Sequence, residues 1–560
     1  MGYTVHKIFI CQKKTSLQTF RIRFVAATAV LFSLLFFSCS QIQLTTPQVY
    51  SPIIRVGVVQ NADEIAFQPG AKMYISTKKA GERYKSQQTD VWKVRVDRSS
   101  LKPAKVRLQI DEFSDKAAAR KEAQRLAAIG IKTRLEQAGD ELWYEGRIIA
   151  GKKRWRLLVA KEFANEEEAR LYQQQNAALA KTRFITEESL SGDILLISPK
   201  GDQLALRDAV RLSGPEFTIH NVQVGEGYHW SRKETRTYNG ELEFRIDKNG
   251  RLTAINVLTL EEYIKGVVPG EMSANFPLEA LKAQAIAART FFLFNFGRVH
   301  ANEPFDVCAT VHCQAFVGTK ANNAKVEKAV RETRGVVVLK NGELCTTPFS
   351  AMCGGHTENS ENVWIGGPQS HLRGVFDVLN AGPIESRFDL SNEQNARTWI
   401  ESLPTVFCNV QKNGNPEYAA YAKKFFRWQV AMSRSELEKN IENYSGKKFG
   451  SLVDLVPVSR GVSGRIIELR IVGTKDSFTI GKELRIRKAL SPNTLYSACF
   501  VIDKKYASGK LADEFIIKGA GWGHGVGMCQ IGAALMAEKG GDAKTILQHY
   551  YSGTQIKRLY

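Results

Sequence analysis

The sequence predicts a multidomain α+β protein, in which a β-rich N-terminal region is interrupted by a small α+β repeat module and followed by a mixed α/β domain. Three observations carry this. The chain has 560 residues, too many for one ordinary domain. A strand–helix pattern occurs twice between residues 105 and 185, and short alternating β-type runs flank it on both sides. From residue 258 onward an Ala-rich helical stretch and Gly-rich segments replace that alternation. The composition, 43% hydrophobic and 24% charged, is globular and supplies enough apolar material for sizeable cores.

The first 39 residues form a targeting segment. Lys7, Lys13, Lys14, Arg21 and Arg23 precede an apolar run from Phe24 to Phe37, and Ser38-Cys39 follows it. A basic region, a short apolar run and a small residue at the break read as an export signal. The Cys after Ser38 resembles a lipoprotein signal, so Cys39 is the expected lipidation site. The run is short for a membrane-spanning helix, although an uncleaved anchor is the alternative. The chain is therefore expected to be exported to the cell envelope or periplasm and lipid-anchored to a membrane. The absence of an acidic residue at Ser40 points to an outer membrane if the cell has one. A net charge of +21 favours a polyanionic surface, but the basic residues are dispersed, and export argues against nucleic acid.

Residues 40–104 comprise a polar linker, Gln41 to Ser51, and a β-rich segment. Ile53 to Val59, Tyr74-Ile75 and Val91 to Val96 are rich in β-branched or aromatic residues. Residues 105–190 form the repeat module. Arg107 to Phe113 leads through Ser114 into a helical stretch, Asp115 to Ile129. Arg156 to Phe163 leads through Asn165 into another, Glu166 to Ala180. Two such units bury their faces only by packing together. The module resembles a SPOR domain, and the resemblance implies binding of glycan strands stripped of stem peptides; a plain spacer is the alternative. Residues 191–250 return to strands at Ile194 to Ile197, Phe217 to Ile219 and Leu242 to Ile246. They are expected to complete one β region with residues 53–96.

Residues 251–560 carry the chemistry. Glu271 follows Pro269-Gly270, which reads as a turn. Pro277 opens a helix from Leu278 to Phe294, with Leu278, Leu281, Ala285 and Ala288 on one buried face. The run Glu262 to Met272, with Pro277 to Ala285 and Ala288-Arg289-Thr290, resembles the signature of the SpoIID/LytB family. Ser350 to Glu358 with Val363-Trp364, and Gly521 to Ala533 with His549-Tyr550-Tyr551, agree with it in order.

The resemblance implies a peptidoglycan lytic transglycosylase, which cuts the MurNAc–GlcNAc bond without water and leaves a 1,6-anhydro sugar. Glu271 is then the catalytic acid. It must arrive protonated, and apolar neighbours such as Met272 and Phe276 would raise its pKa by desolvation. Gln284, Arg289, Gly354, Gly355, His356, His524 and Gln530 are the candidate substrate-binding residues. Arg289 could equally pair with a carboxylate. The expected partners are denuded peptidoglycan glycan strands and a cell-wall amidase. Two other functions compete: a non-enzymatic amidase enhancer and an envelope glycan-binding protein.

Nine cysteines are present, seven of them beyond the targeting segment. Cys308, His312 and Cys313 could hold a structural zinc ion, a site that some family members resemble. His300, His356 and Cys353 are candidates for the fourth ligand. A Cys308–Cys313 disulfide is the alternative in an oxidising compartment. The chemistry expected of Glu271 requires no cofactor.

Overall fold

The computed structural model describes residues 51–560 except 71, 77–81, 86–89, 187–189, 320–322, 379–388 and 508. Cys39 and the expected targeting segment lie outside the described residues. Helices and strands are both abundant and divided among several sheets, as an α+β multidomain chain requires.

Two antiparallel β layers form the N-terminal body. Alternation at Ile54, Val56 and Val58 buries one face of the strand Ile53–Ala62. That strand pairs antiparallel with Leu252–Thr259, which pairs with Glu241–Ile246. Ala209–Ser213, Lys72–Ser76 and Glu82–Lys85 continue the sheet. At the opposite edge, Val56-Gly57 pairs in parallel with Val307-Cys308. The second sheet contains Glu64–Pro69, Trp92–Asp97, Asp193–Ile197 and Glu216–Val224 among its six strands. Phe67 of this sheet meets Phe244 of the first, with ring centroids 5.6 Å apart. The boundary expected at residue 250 falls in the turn between two paired strands, so the body continues to Thr259.

The repeat module is inserted between Trp92–Asp97 and Asp193–Ile197, which pair with each other. Its sheet runs in the order Arg183–Thr186, Val106–Phe113, Arg154–Val159, Thr133–Ala138. Helices α1 (Lys116–Ala127) and α2 (Glu166–Gln175) contact this sheet. Leu108, Leu126, Leu157, Phe163 and Leu179 give it a core of its own. Asn165 caps α2 as expected, accepting from Glu168 N–H at 2.9 Å. The cap of α1 is Asp115, not Ser114, because the Asp115 carboxylate reaches Ala118 N–H at 2.9 Å. A hairpin unread in the sequence, Glu141–Tyr144 with Arg147–Gly151, leaves the module and docks on the main core. Tyr144 lies 5.1 Å from the ring of Tyr560.

The chain then forms α3 (Leu260–Glu271) and α4 (Leu278–Asn295). Pro269 lies inside α3, so the expected turn is the last turn of a helix. Pro277 precedes α4 as predicted, but the helix is buried on more than one face. Its many Ala residues let α3, the helix Ala324–Glu332, and the later α5 (Gln530–Glu538) and α6 (Ala543–Tyr550) approach it. The expected single domain 251–560 has two cores. Residues between Trp428 and Ile517 build the second around Phe449, Leu469, Ile471 and Phe515.

Between α3 and α4 lies a buried ion pair. Arg289 Nη2 and Nε reach Glu261 Oε2 and Oε1 at 2.7 and 2.9 Å, and Tyr560 Oη donates to Glu261 Oε1 at 2.7 Å. Burial alone would raise the Glu261 carboxyl, but the Arg289 guanidinium outweighs it and holds the group below its usual range. The pair therefore stabilises the fold above the ordinary carboxylate range, and that contribution is lost as pH falls through the lowered value. Glu261→Gln strands a buried guanidinium and should cost about 3–5 kcal/mol. Denaturant unfolding at neutral pH measures the loss, and an unchanged midpoint would contradict it.

Candidate active site

Glu271 is the last residue of α3. Thr259 begins that helix by accepting from Glu262 N–H at 3.3 Å. Gly266 and Gly270 lie one turn apart, so they share a face. The loop Ala315–Gly318 runs against that face. A Cβ on Gly266 would stand 2.4 Å from the Phe316 ring, and one on Gly270 would stand 2.3 Å from Ala315 O. The two glycines thus let backbone meet backbone. Val317 N–H donates to Gly266 O at 3.1 Å. Arg236 Nη1 holds Phe316 O at 2.7 Å, and Thr319 N–H reaches Thr237 O at 2.8 Å.

This close approach brings Ala315 N–H to 2.6 Å from Glu271 Oε1. The other oxygen, Oε2, is 3.5 Å from Gln530 Nε2. Gln530 Nε2 is also 3.3 Å from Gln284 Oε1. Gln284 and Gln530 are both buried. They stand behind the carboxyl and orient it. Burial raises the Glu271 pKa to about 7, against the opposing hydrogen bonds from Ala315 and Gln530. A carboxylate at a helix C-terminus also meets the negative end of the helix dipole, which acts in the same direction. The residue itself remains partly exposed.

Gln530 is set by the turn before it. Gly521, Gly523, Gly525 and Gly527 all have positive φ. A Cβ on Gly527 would lie 2.1 Å from Pro348 O, so the chain passes flush against that segment. Met528-Cys529 then pairs in parallel with Phe349-Ser350, and Cys529 caps α5 by accepting from Gly532 N–H at 3.3 Å.

The other expected residues make contacts of their own. Arg289 sits about 140° round α4 from Gln284 and takes the carboxylate-pairing role, fully buried with Glu261. His356 is buried. Its Nδ1 donates to Thr357 O at 2.6 Å, and its ring meets Phe376 edge-on at 4.3 Å. Burial drives its pKa down to about 4, so it is a neutral core histidine. Gly354 and Gly355 have positive φ, and a Cβ on Gly355 would lie 2.7 Å from the Trp399 ring. Their role there is packing. His524 Nδ1 accepts from Val526 N–H at 3.0 Å, which places the proton of the neutral ring on Nε2. Its ring faces the partly exposed Trp364, with centroids 4.9 Å apart.

Cys308, His312 and Cys313 come together, and His300 joins them. Their ligand atoms lie within 4.8 Å of one another. His300 Nε2 is 3.1 Å from Cys313 Sγ, and His312 Nδ1 is 3.7 and 3.5 Å from the sulfurs of Cys308 and Cys313. Hydrogen bonds from Cys313, His300 and His312 hold the Cys308 thiol far below its usual range. The other nitrogen of His300 bonds Glu303. Two sulfurs, two imidazoles and an outer carboxylate are a donor set that fits zinc. His300 thus stands where a fourth ligand was sought. His356 and Cys353 lie elsewhere.

Residues 248–339 match the family described as Stage II sporulation protein. An uncharacterized protein of Brachyspira hyodysenteriae is 35% identical over 322 residues, covering 57% of this chain and 72% of that protein. The chain belongs to the SpoIID family. Stage II sporulation protein D of Bacillus subtilis is 26% identical over 317 residues, 54% of this chain and 76% of that protein. The Amidase enhancer of Bacillus subtilis is 29% identical over 306 residues, 52% of this chain but 40% of that protein. Residues 102–183 match the SPOR domain, and residues 358–527 match a domain of unknown function (DUF8618).

Within this SpoIID chain, Glu271, Gln284, Arg289, His300, Cys308 and Cys313 fall inside the SpoIID match. The Ala315 N–H was not foreseen, because a backbone donor has no residue-type signal. The Gly266/Gly270 spacing could have revealed it. Gly270→Ala should push the 315–318 loop off α3 and destabilise the protein by about 1–3 kcal/mol. Gly367→Ala is the matched control, since a Cβ there meets nothing within 4 Å. Equal unfolding midpoints for the two variants would refute the close-packing account.

Proposed function

We propose that this protein cleaves peptidoglycan glycan strands by a lytic transglycosylase route, with Glu271 as acid and then base. The observation that carries the reading is the Glu271 carboxyl. It is sunk among protein atoms, held at a pKa of about 7, and gripped on one oxygen by a backbone N–H. Because Oε1 accepts from Ala315, the transferable proton resides on Oε2. It passes to the glycosidic oxygen as the bond to C1 breaks. The Glu271 carboxylate then takes the proton of the sugar's 6-hydroxyl, and O6 closes on C1. The product is a 1,6-anhydro sugar, and Glu271 is protonated again. A single carboxyl suffices where an ordinary glycosidase needs two.

A zinc ion, when bound by His300, Cys308, His312 and Cys313, would supply structural cross-linking. Gln314 and Ala315 directly follow Cys313, so those side chains would fix the loop that holds Glu271. The SPOR match supports a role in holding glycan, and the relative named Amidase enhancer supports association with a cell-wall amidase. An envelope location, with Cys39 as lipid anchor, accords with both. The module's sheet carries Arg107, Glu136, Arg154 and Arg156, and Arg156 Nη2 reaches Asn302 Oδ1 at 3.0 Å.

Glu271→Gln should lower release of anhydro-sugar fragments from purified wall by about 10²–10⁴-fold. Wild-type release by this variant would leave the amidase-enhancer reading in its place. Cleavage should also decline as pH rises through about 7, where the raised carboxyl loses its proton. The folded state keeps that proton to higher pH than the unfolded chain, so ionising it costs stability as pH rises. Glu271→Gln is spared that cost and should stay folded at pH 8. A rate that climbs through this range would contradict the acid role. Residues 102–190, which contain a core of their own, should sediment with amidase-treated wall. Equal, negligible retention on treated and untreated wall would leave a spacer.

A further inference from the structure

Four buried side chains from four distant segments meet directly behind Gln530. They are Cys353, Asp377, Cys408 and Cys529, and their ligand atoms lie within 4.8 Å of one another. We propose that this cluster is a second metal site, which binds one zinc-type divalent cation through three thiolates and a carboxylate.

The spacing suits such an ion. Cys353 Sγ and Cys408 Sγ are 3.7 Å apart. Zinc–sulfur bonds of about 2.3 Å in a tetrahedron put sulfurs about 3.8 Å apart. The surroundings suit thiolates as well. Cys353 N–H and Gly532 N–H each point at Cys529 Sγ from 3.3 Å, and Gly355 N–H points at Cys353 Sγ from 3.4 Å. Cys529 stands at the N-terminus of α5, where the helix dipole favours negative charge. The second shell is complete at Asp377. Its Oδ2 accepts from Cys408 N–H at 2.7 Å and its Oδ1 from Tyr550 Oη at 2.5 Å. Both oxygens are held in place by these donors, and among the described residues no Lys or Arg pairs with the carboxyl.

Charge balance points the same way. A dication held by three thiolates and one carboxylate leaves two negative charges in the interior. Two guanidinium groups stand beside the cluster. Arg465 Nη2 holds Cys353 O at 3.0 Å, and Arg427 Nη1 holds Gly354 O at 3.0 Å. Thiolate ligands select zinc over calcium or magnesium. The ion would tie residues 377 and 408, within the DUF8618 match, to Cys353 and to the residue that launches Gln530 toward Glu271.

The test uses the full chain, purified under reducing conditions without chelator. Cys308→Ser/Cys313→Ser removes the thiolates of the first cluster, so any thiolate–metal signal reports on the second. Loaded with Co²⁺, this variant should show one equivalent of tetrahedral cobalt with a sulfur-to-metal charge-transfer band. Adding Cys408→Ser should abolish that band. The unsubstituted protein gives an independent measurement if these variants fold poorly. Elemental analysis should find zinc that persists in stoichiometric amount after His300→Ala/His312→Ala, and stripping it should lower the unfolding temperature until zinc is restored. Absence of both cobalt band and residual zinc would overturn the proposal. So would a Cys353–Cys408 disulfide, identified by peptide mapping of protein purified without reductant.

Discussion

The contact on which the site depends is a backbone one: the 315–318 loop lying on the bare glycine face of α3. Gly266 and Gly270 carry no side chain, so the loop can close until Ala315 N–H reaches Glu271 at 2.6 Å. Any Cβ on that face would hold the loop away and leave the two carboxyl oxygens alike. The loop is fastened on both sides of the contact. Before it, Cys308 is paired to the edge of the N-terminal sheet at Gly57. After it, Thr319 is bonded to Thr237. The β body thus acts as the frame that aims a single carboxyl. The proposed acid role rests on that aim and on burial, because a carboxyl in water would already have lost its proton at neutral pH.

Much of the frame was legible, because periodicity and capping are local. The strands at 53, 194, 217 and 242 announced themselves by β-branched alternation, and Pro277 marked the start of α4. Local signals also misled where two structures share one composition. Pro269-Gly270 reads as a turn, yet here the proline sits in the last helical turn and Gly270 is a docking surface. Ser114 and Asp115 are both good caps, and only the reach of the carboxylate decides between them. The hairpin at 141–151 could not be read at all. It is stabilised by a core far along the chain, through contacts such as Tyr144 on Tyr560 and Gly151 against Phe296.

The site was legible as a family pattern and obscure as geometry. Glu271, Gln284 and Gln530 share one hydrogen-bonded line, although 246 positions separate the two glutamines. Arg289 shares a helix with Gln284 but serves Glu261, a partner invisible without the fold. Gly354 and Gly355 were expected to bind substrate with His356. They are there because the backbone packs against Trp399 and Ala520. Cysteine clusters were harder still. Cys308 and Cys313 are near neighbours in sequence, whereas Cys353, Cys408 and Cys529 converge only through tertiary structure.

The SPOR module leaves and rejoins the β body at paired positions, Asp97 opposite Asp193. Its two ends therefore meet in neighbouring strands, as the ends of a hairpin loop do. An insertion of this kind leaves the register of the host sheet unchanged, whatever the inserted length. The strands on either side can keep their pairing with the module in place, although its hairpin, through Leu142, Tyr144 and Ile149, remains part of the main core. The junction thus constrains only where the module's two ends lie, while the glycine face of α3 constrains every atom of the loop that covers it.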